Sequence, residues 1–427
     1  MIISLLEKFR HYRIKKRYDK YSMKMSKIRR KYSLGKINKD YIYISKIIGV
    51  YYTKLKKILF KVLYVYPVKN NKIIFIAYEG RQYSCNPKLV SEYLANKYGD
   101  ELDIVWIFNT PHKFTKLDKN IRIVKNGTFE CVKELLTAKV FLSNMRIVED
   151  IPFRKNQVRI STGHGGGAYK HLLLDIPGIT SKDRQKIMFS TNNTTLFVST
   201  NKRYTECVVR GAYNYSGEVL ECGMPRNDIF FNDKTSNAVR DYYDISSETK
   251  ILLYAPTYRA GRKKFDYELD SERLLNSLTT RFGGEWVIIY RLHHFIKGKI
   301  GYEASKKGII DATNYKDMQE LLMESDILIT DYSSCMWDYT LTGKPGFLYA
   351  PDLENYIDKQ GFYTEISEWP FYLAENNEEL EECILTFDEE DYQKRVNKHH
   401  TELEMTETGN ATQIIAERIY NSCKGVI

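Results

Sequence analysis

The segment ESDILITDYSSCMWDYTLTGKPGFLYAPDLENY, residues 324–356, contains the pattern that decides the fold class. Ile327 to Ile329 form a short apolar run, which is typical of a buried parallel strand. Polar residues follow the run at once, and a helix is predicted beyond them through Trp337 and Tyr339. The polar residues are Thr330, Asp331, Ser333 and Ser334. Such a junction can bind an anion, because free backbone N–H groups and the helix dipole point at it. An ordinary capped helix has the same residues, so the segment alone leaves both interpretations open.

Short apolar strands alternate with helices of about ten residues from residue 67 onward, which predicts an α/β protein with parallel sheets. The clearest helices are predicted at 88–97 and 128–138. Strands are predicted at 72–77, 103–108, 121–124, 140–142, 158–162, 196–199, 251–254, 286–290, 309–311 and 327–329. A turn-rich stretch at 223–226 separates the two series. We therefore expect two Rossmann-like domains that face each other across a cleft.

The predicted boundaries divide the chain into four parts. They are a basic helical extension (1–66), a first domain (67–228), a second domain (229–405) and a C-terminal helix (406–427). A hydrophobic content of 43% is enough for a sizeable core. The seven cysteines lack metal-ligand spacing, so we expect free thiols in a reducing cytosol. We expect no transmembrane span and no signal peptide.

The positive charge of the chain is concentrated in the extension. Residues 1–66 hold 19 Lys and Arg against three acids, a net charge of +16, whereas the whole chain carries +11. A basic segment rich in Ile, Leu and Tyr fits an anionic membrane surface, with its apolar face in the headgroup region. We expect peripheral binding at the cytoplasmic face of the membrane. A solvated helix or a partner subunit is the main alternative, and nucleic acid is not expected as a partner.

A loop with four glycines follows the strand at 158–162 and contains His164. Glycines let a substrate approach the backbone closely, and a neutral imidazole is the usual general base near pH 7. The alternative is a flexible turn with an incidental histidine. The spacing is not that of a dinucleotide-binding loop, so NAD is not favoured.

Three strand ends of the second domain carry donors that could bind a diphosphate. Arginine can contact phosphate with two parallel hydrogen bonds, and His, Ser or Thr can add single bonds. Because the carboxyl ends of parallel strands meet at one edge, these residues should line one cleft. The residues predicted to form this site, whether as donors or as neighbours that hold them, are Pro256, Thr257 and Arg259, then Arg291 and His293, then Thr330, Asp331, Ser333, Ser334 and Asp338.

With these motifs the chain resembles the CDP-glycerol glycerophosphotransferases, the teichoic acid primases and polymerases with a GT-B fold. The resemblance covers residues 73–420. Its most specific block is DILITDYSSCMWDY with DLENY and Gly361-Phe362-Tyr363. Further blocks are FIAYEGRQYSCNPKLVSEYL, the HG loop with Lys170, GMPRND, LYAPTYR, RLHH and the tail TETGNATQIIAERI.

The resemblance implies transfer of glycerol phosphate from CDP-glycerol to a hydroxyl of a membrane-linked acceptor, with release of CMP. It assigns His164 as the general base and His293 as a group that stabilises the leaving phosphate. Gly165 and Lys170 would lie on the acceptor side. Asp331 and Asp338 would orient other groups. We expect no cofactor and no required metal.

Two positions depart from the family pattern and bear on acceptor identity more than on the reaction. Gly163 stands where the family usually has Trp, and His294 stands where it usually has Pro. The long N-terminal region of the large polymerases is also lacking, which is compatible with a primase-like or capsule-type transferase. A ribitol phosphate or other polyol phosphate donor, a sugar nucleotide donor, and a non-catalytic membrane-surface scaffold remain as alternatives. A homo-oligomer is left open.

Overall fold

The computed structural model describes residues 62–146, 153–232, 236–257, 269–292 and 308–426. Most of the predicted basic extension therefore lies outside the described residues. The same is true of Arg259, His293 and His294.

The first domain is built on a fully parallel sheet. Within the described part of the chain it has seven strands in the order β3-β2-β1-β4-β5-β6-β7. The strands are β1 Lys69–Ile76, β2 Asp103–Phe108, β3 Ile121–Lys125, β4 Ala138–Ser143, β5 Val158–Ser161, β6 Leu196–Ser199 and β7 Glu218–Glu221. Ile73, Phe75 and Trp106 on its central strands are completely buried, as expected for a sheet covered by helices on both faces.

The two helices predicted in the first domain begin within three residues of their predicted positions, and further helices follow them. They are α1 Cys85–Tyr98, α2 Phe129–Thr137 and α3 Ser181–Asn192, with a π-helix at Tyr204–Ala212. The hydroxyl of Thr128 accepts a hydrogen bond from the backbone N–H of Cys131 and so caps α2. Short 3₁₀ helices lie at Leu63–Val65, Tyr78–Gly80, Pro111–Lys113, Leu173–Asp175 and Pro225–Phe231.

The second domain repeats this plan. Its parallel sheet has, among the described residues, six strands in the order β10-β9-β8-β11-β12-β13. The strands are β8 Lys250–Ala255, β9 Trp286–Tyr290, β10 Ile309–Asp311, β11 Ile327–Thr330, β12 Gly346–Tyr349 and β13 Tyr372–Ala374. The helices are α4 Ala238–Tyr243, α5 Ser271–Phe282, α6 Met318–Glu324, α7 Cys335–Thr340, α8 Leu353–Gln360, α9 Asn377–Leu385, α10 Glu389–Glu402 and α11 Ala411–Lys424, with a 3₁₀ helix at Ile366–Glu368. The prediction of two parallel α/β sheets is confirmed.

The last helix, α11, returns to the first domain. The carboxylate of Asp228 accepts hydrogen bonds from the backbone N–H groups of Ala411 and Thr412, at 3.1 and 2.8 Å. A carboxylate at a helix N-terminus is stabilised by the free N–H groups and the dipole. The ring of Tyr420 stacks on that of Tyr98 in α1, with centroids 3.9 Å apart. The C-terminal segment thus belongs to the first domain in space.

A loop after β5 connects the two domains by packing. Tyr169 in this loop is buried in the core of the second domain, and its hydroxyl lies 2.9 Å from Nε2 of His399 in α10. Its carbonyl accepts a hydrogen bond from the backbone N–H of Tyr363, and the hydroxyl of Tyr363 donates to Asp175 at 2.6 Å. These contacts hold the glycine-rich loop against the second domain. None of the helices in the described residues is both long and apolar enough to cross a membrane.

Candidate active site

The candidate site lies where the strand order reverses in each sheet. In an open parallel sheet, the loops that leave the carboxyl ends of the two strands at this point diverge and leave a crevice for a ligand. In the first domain these loops contain Tyr78, after β1, and Asn144, after β4. In the second domain they contain Thr257, after β8, and Asp331, after β11.

His164 is held by its Nδ1 atom, which lies 3.0 Å from the backbone carbonyl of Asn144. Since a carbonyl oxygen only accepts, Nδ1 carries the proton in this contact and Nε2 of the neutral ring keeps a lone pair. The backbone N–H of Tyr78 donates to the Oδ1 atom of Asn144, and the Tyr78 ring contacts the imidazole edge to face. Asn144 therefore binds both the imidazole of His164 and the backbone of Tyr78.

The electrostatic surroundings of His164 favour its neutral form. The side chain has access to solvent, yet protein atoms crowd the ring closely enough to desolvate it. This burial lowers the pKa of His164 below its ordinary value, the hydrogen bond to Asn144 opposes that effect, and the charges of Arg226 and Lys170 lower the pKa further. A neutral imidazole with an available Nε2 can accept a proton.

The glycines of the loop place its backbone against the second domain. Gly163 has a φ of +60°, a conformation in which side chains other than glycine are strained, and its carbonyl accepts from Nδ2 of Asn86 at 3.2 Å. A β-carbon at position 165 would lie 3.5 Å from Oγ of Ser334, an ordinary contact distance. A β-carbon at position 166 would overlap the Trp337 ring. The glycine-rich loop therefore packs closely against α7 and the residues before it.

On the opposite wall, Asp331 shapes the loop after β8. Its two carboxylate oxygens accept from the backbone N–H of Thr257 at 2.8 and 3.0 Å. Thr257 and the preceding Pro256 are half-buried, whereas Asp331 is buried. Asp331 thus holds the Pro256-Thr257 turn in place.

Ser333 and Ser334 are half-buried and lie before α7, which begins at Cys335 as the sequence pattern predicts. The hydroxyl of Ser333 accepts from the backbone N–H of Cys335 at 3.4 Å. Together with the proximity of Ser334 to Gly165, this arrangement brings predicted donor residues next to the histidine loop.

Three other predicted donor residues use their polar atoms within the protein. The hydroxyl of Thr330 is buried and donates to the carbonyl of Ala255 at 2.7 Å, so it joins β11 to β8 and does not face the cleft. Nη1 of Arg291 donates to the carbonyl of Ala312 at 2.9 Å and to that of Thr313. Asp338 is also buried, and its partners are described below. For Thr330 the structure corrects the prediction of a direct ligand, because a β-strand end buries its own last side chain.

Arg226 and Gln319 are site residues that the sequence analysis missed. Nε and Nη2 of Arg226 donate to the two carboxylate oxygens of Asp338 at 3.0 and 2.9 Å, and Nε2 of Gln319 donates to the same carboxylate at 3.0 Å. Arg226 stands in the quoted GMPRND stretch, but its partner is far away in the chain. No spacing rule could have paired them.

Lys170 lies on the same loop as His164 and is half-buried. Its backbone forms an antiparallel bridge with Phe362, beside the loop contacts that join the two domains. The charge of Lys170 acts on His164, and its acceptor-side role stays a prediction. The described residues contain no group of three or more His, Cys, Asp or Glu side chains that could hold a metal ion.

Comparisons with known proteins agree on one family. The family model for CDP-glycerol:poly(glycerophosphate) glycerophosphotransferase matches residues 58–421. A teichoic acid poly(glycerol phosphate) polymerase from Bacillus subtilis (strain 168) is 31% identical over 89% of this chain, which spans only 52% of that relative. A second such polymerase, from Bacillus spizizenii (strain ATCC 23059 / NRRL B-14472 / W23), is 29% identical over 88% of this chain and 99% of the relative.

A solved structure extends the agreement to the fold. The wall teichoic acid polymerase TagF, in a histidine-to-asparagine variant soaked with CDPG, superposes with a TM-score of 0.78 at 26% identity. The match covers 92% of this chain and 99% of that one. The predicted GT-B-like arrangement of two facing domains is thereby confirmed. Sequence and fold together show that the chain belongs to the CDP-glycerol:poly(glycerophosphate) glycerophosphotransferase family.

Proposed function

We propose that this chain transfers glycerol phosphate from CDP-glycerol to a hydroxyl group of an acceptor and releases CMP, in the synthesis of teichoic acid or a related wall or capsule polymer. The observation that carries this proposal is the contact between the histidine loop of the first domain and the residues before α7 in the second domain. The loop of His164, a neutral imidazole with its Nδ1 bound to Asn144, lies against the Ser333-Ser334 turn at the carboxyl end of β11. Family membership supplies the donor class.

In the proposed reaction, Nε2 of His164 takes the proton of the acceptor hydroxyl while that oxygen attacks the phosphorus bonded to glycerol. A new O–P bond forms, the anhydride bond to the other phosphorus breaks, and its electrons leave with CMP. Positioning and charge neutralisation supply most of the rate enhancement in phosphoryl transfer. We assign the neutralisation to Ser333 and Ser334, to Arg259 and His293, and to the charge of Arg291, whose Nη1 atom is bound to backbone carbonyls.

We also propose that the reaction needs no divalent metal. The support is the density of cationic and hydroxyl donors assigned to the diphosphate, since such groups can neutralise its charge. Turnover that persists in EDTA is the expected result. Loss of turnover in EDTA and its recovery with Mg²⁺ would contradict the proposal.

The acceptor is proposed to be lipid-linked and presented at the cytoplasmic face of the membrane, where the basic extension binds anionic lipid. Flotation of the full chain with anionic vesicles should exceed flotation with neutral vesicles. A variant with the Lys and Arg of residues 1–61 changed to Gln is the matched comparison, because it keeps the chain length. Equal flotation of both proteins would contradict a charge-driven contact.

The reaction itself is tested by following CMP release from CDP-glycerol with candidate lipid-linked acceptors. CDP-ribitol and UDP-sugars serve as matched donors. Preference for CDP-glycerol is expected, and calorimetry should show the same order of donor affinity. Faster turnover of CDP-ribitol would replace the substrate but keep the reaction class. Binding of none of the nucleotides would point to the scaffold alternative.

A further inference from the structure

Arg226 forms a buried ion pair across the two domains. It lies in the 3₁₀ helix that precedes the second domain, and Asp338 lies in α7. Only 4% and 5% of the two side chains is exposed, so solvent screens the pair little. Gln319 in α6 donates to the same carboxylate and fixes its orientation. The guanidinium is therefore held from the side of the second domain.

The same arginine is bound on its other side to the histidine loop. Its backbone N–H donates to Oδ1 of Asn86 at 3.0 Å, and Nδ2 of Asn86 donates to the carbonyl of Gly163, the residue before His164. Asn86 is completely buried, so this bridge excludes water. A continuous chain of hydrogen bonds thus runs from Asp338 to the neighbour of His164.

Asp338 binds Nε and Nη2 of Arg226 and leaves the third guanidinium nitrogen without a contact to the carboxylate. This Nη1 atom is buried and has no hydrogen-bond partner among the described residues, so one arm of the guanidinium stays unpaired. The titratable groups around Arg226 and His164 come from every element that packs here. They are Tyr78, Cys85, Lys88, Lys170, Tyr204, Arg291, Asp317 and Asp338. His164 is thus next to two cations, Arg226 and Lys170.

We propose that Arg226 is a positioning residue for His164 in the reaction proposed above: its buried charge keeps the imidazole neutral and able to accept a proton, and Asp338 limits how much of that charge the imidazole experiences. The donor domain would thereby control the base on the acceptor side.

This role predicts opposite shifts for the two members of the ion pair. A nearby cation disfavours a second positive charge, so removal of Arg226 should raise the pKa of His164. Removal of the Asp338 charge leaves Arg226 uncompensated and should lower the pKa of His164. A merely structural role of the pair would move the pKa in the same direction for both variants, or not at all.

The test uses the full-length protein and four variants: Arg226→Met, Asp338→Asn, Arg226→Lys and the double variant Arg226→Met/Asp338→Leu. The double variant matters because a single change leaves a buried charge alone, whereas apolar replacement of both partners is often neutral for folding. NMR with labelled histidine follows the His164 titration, and the pH profile of kcat/KM follows its use. His164→Ala identifies the His164 signal among the eight histidines.

We expect the acid limb of the profile and the NMR midpoint to move to higher pH in Arg226→Met and to lower pH in Asp338→Asn. The double variant should lie between the parent and Arg226→Met, and Arg226→Lys should stay near the parent. Shifts of one sign in both single variants, or a double variant that titrates like the parent, would overturn the inference. Normal CMP release by His164→Ala would instead overturn the proposed base, and the NMR titration would still test the coupling.

Discussion

The two walls of the cleft present their polar groups in different ways. On the first domain, the key side chain stands on a loop that glycine strips of other side chains, and a single backbone carbonyl orients it. On the second domain, the polar side chains at the strand ends mostly bind the protein itself, as the contacts of Asp331 and Thr330 show. The comparison shows that the first domain presents a reactive side chain to the cleft. In the second domain, several polar side chains instead hold the backbone of the strand-end loops in place.

The largest effect is expected for the reactive group. His164→Ala should lower turnover by about a hundredfold or more, because general base catalysis contributes that much. CMP release at saturating CDP-glycerol is the measurement. His112→Ala, in the 3₁₀ helix before β3, is the matched control and should keep full turnover. Near-normal turnover of His164→Ala would mean that the first domain does not supply the general base, so the two walls would not differ in this way.

Neighbouring glycines give the next test. Gly166→Ala should cost about 1–3 kcal/mol of stability through overpacking and displace the histidine loop, because the new methyl group overlaps Trp337. The Trp337 ring cannot easily yield, since its Nε1 donates to Oγ1 of Thr200 in the other domain at 2.8 Å. Gly165→Ala is the control, with room for a methyl group. Thermal unfolding and turnover should both separate the two variants, and equal behaviour would show that the loop is not held against α7.

The role of the polar side chains in the second domain is tested by Asp331→Asn. Loss of the charged acceptor for the Thr257 N–H should raise the KM for CDP-glycerol by about tenfold, with a smaller change in kcat. Asp326→Asn is the matched control, because Asp326 accepts from the N–H of Ile251 at the opposite ends of the same strands. The control should lower stability and leave KM unchanged. A similar KM for both variants would mean that the turn after β8 does not position the donor.

The smallest effect is expected for Thr330→Val. Loss of its hydrogen bond to Ala255 should cost about 1 kcal/mol of stability and leave the KM for the donor unchanged. Chemical denaturation and donor titration measure the two quantities. A large increase in KM would restore Thr330 as a direct ligand and weaken the contrast between the walls.

Much of the fold was predictable from local patterns. The apolar runs at β8, β9 and β11 were located to within a residue or two, because strands buried on both faces are apolar throughout. β7 was missed, since its residues Glu218 to Glu221 are partly exposed and mostly lack that pattern. The helix predicted at 128–138 within the alternation of strands and helices is observed at Phe129–Thr137. Secondary structure could be predicted where the residues within one helix or strand are enough to specify it.

The site was only partly predictable. His164 was proposed from its glycine-rich loop after a strand, and Ser333 and Ser334 from their strand end, since parallel topology brings such ends to one edge. The hydrogen-bond partners of the strand-end residues were not predictable. Asp331, for example, binds the backbone N–H of Thr257. A strand-end polar residue can face a ligand or hold its own loop, and the sequence is the same in both cases.

The sequence by itself determined two parallel sheets, the positions of their loops and the imidazole on a glycine-rich turn, because periodicity and turn chemistry act over a few residues. Only the tertiary structure decided that Arg226 pairs with Asp338, 112 residues away, and that Tyr169 of one domain completes the core of the other. Such contacts depend on how the two sheets pack, and the free energy of burying a charge or a ring is set there and not by neighbours in the chain.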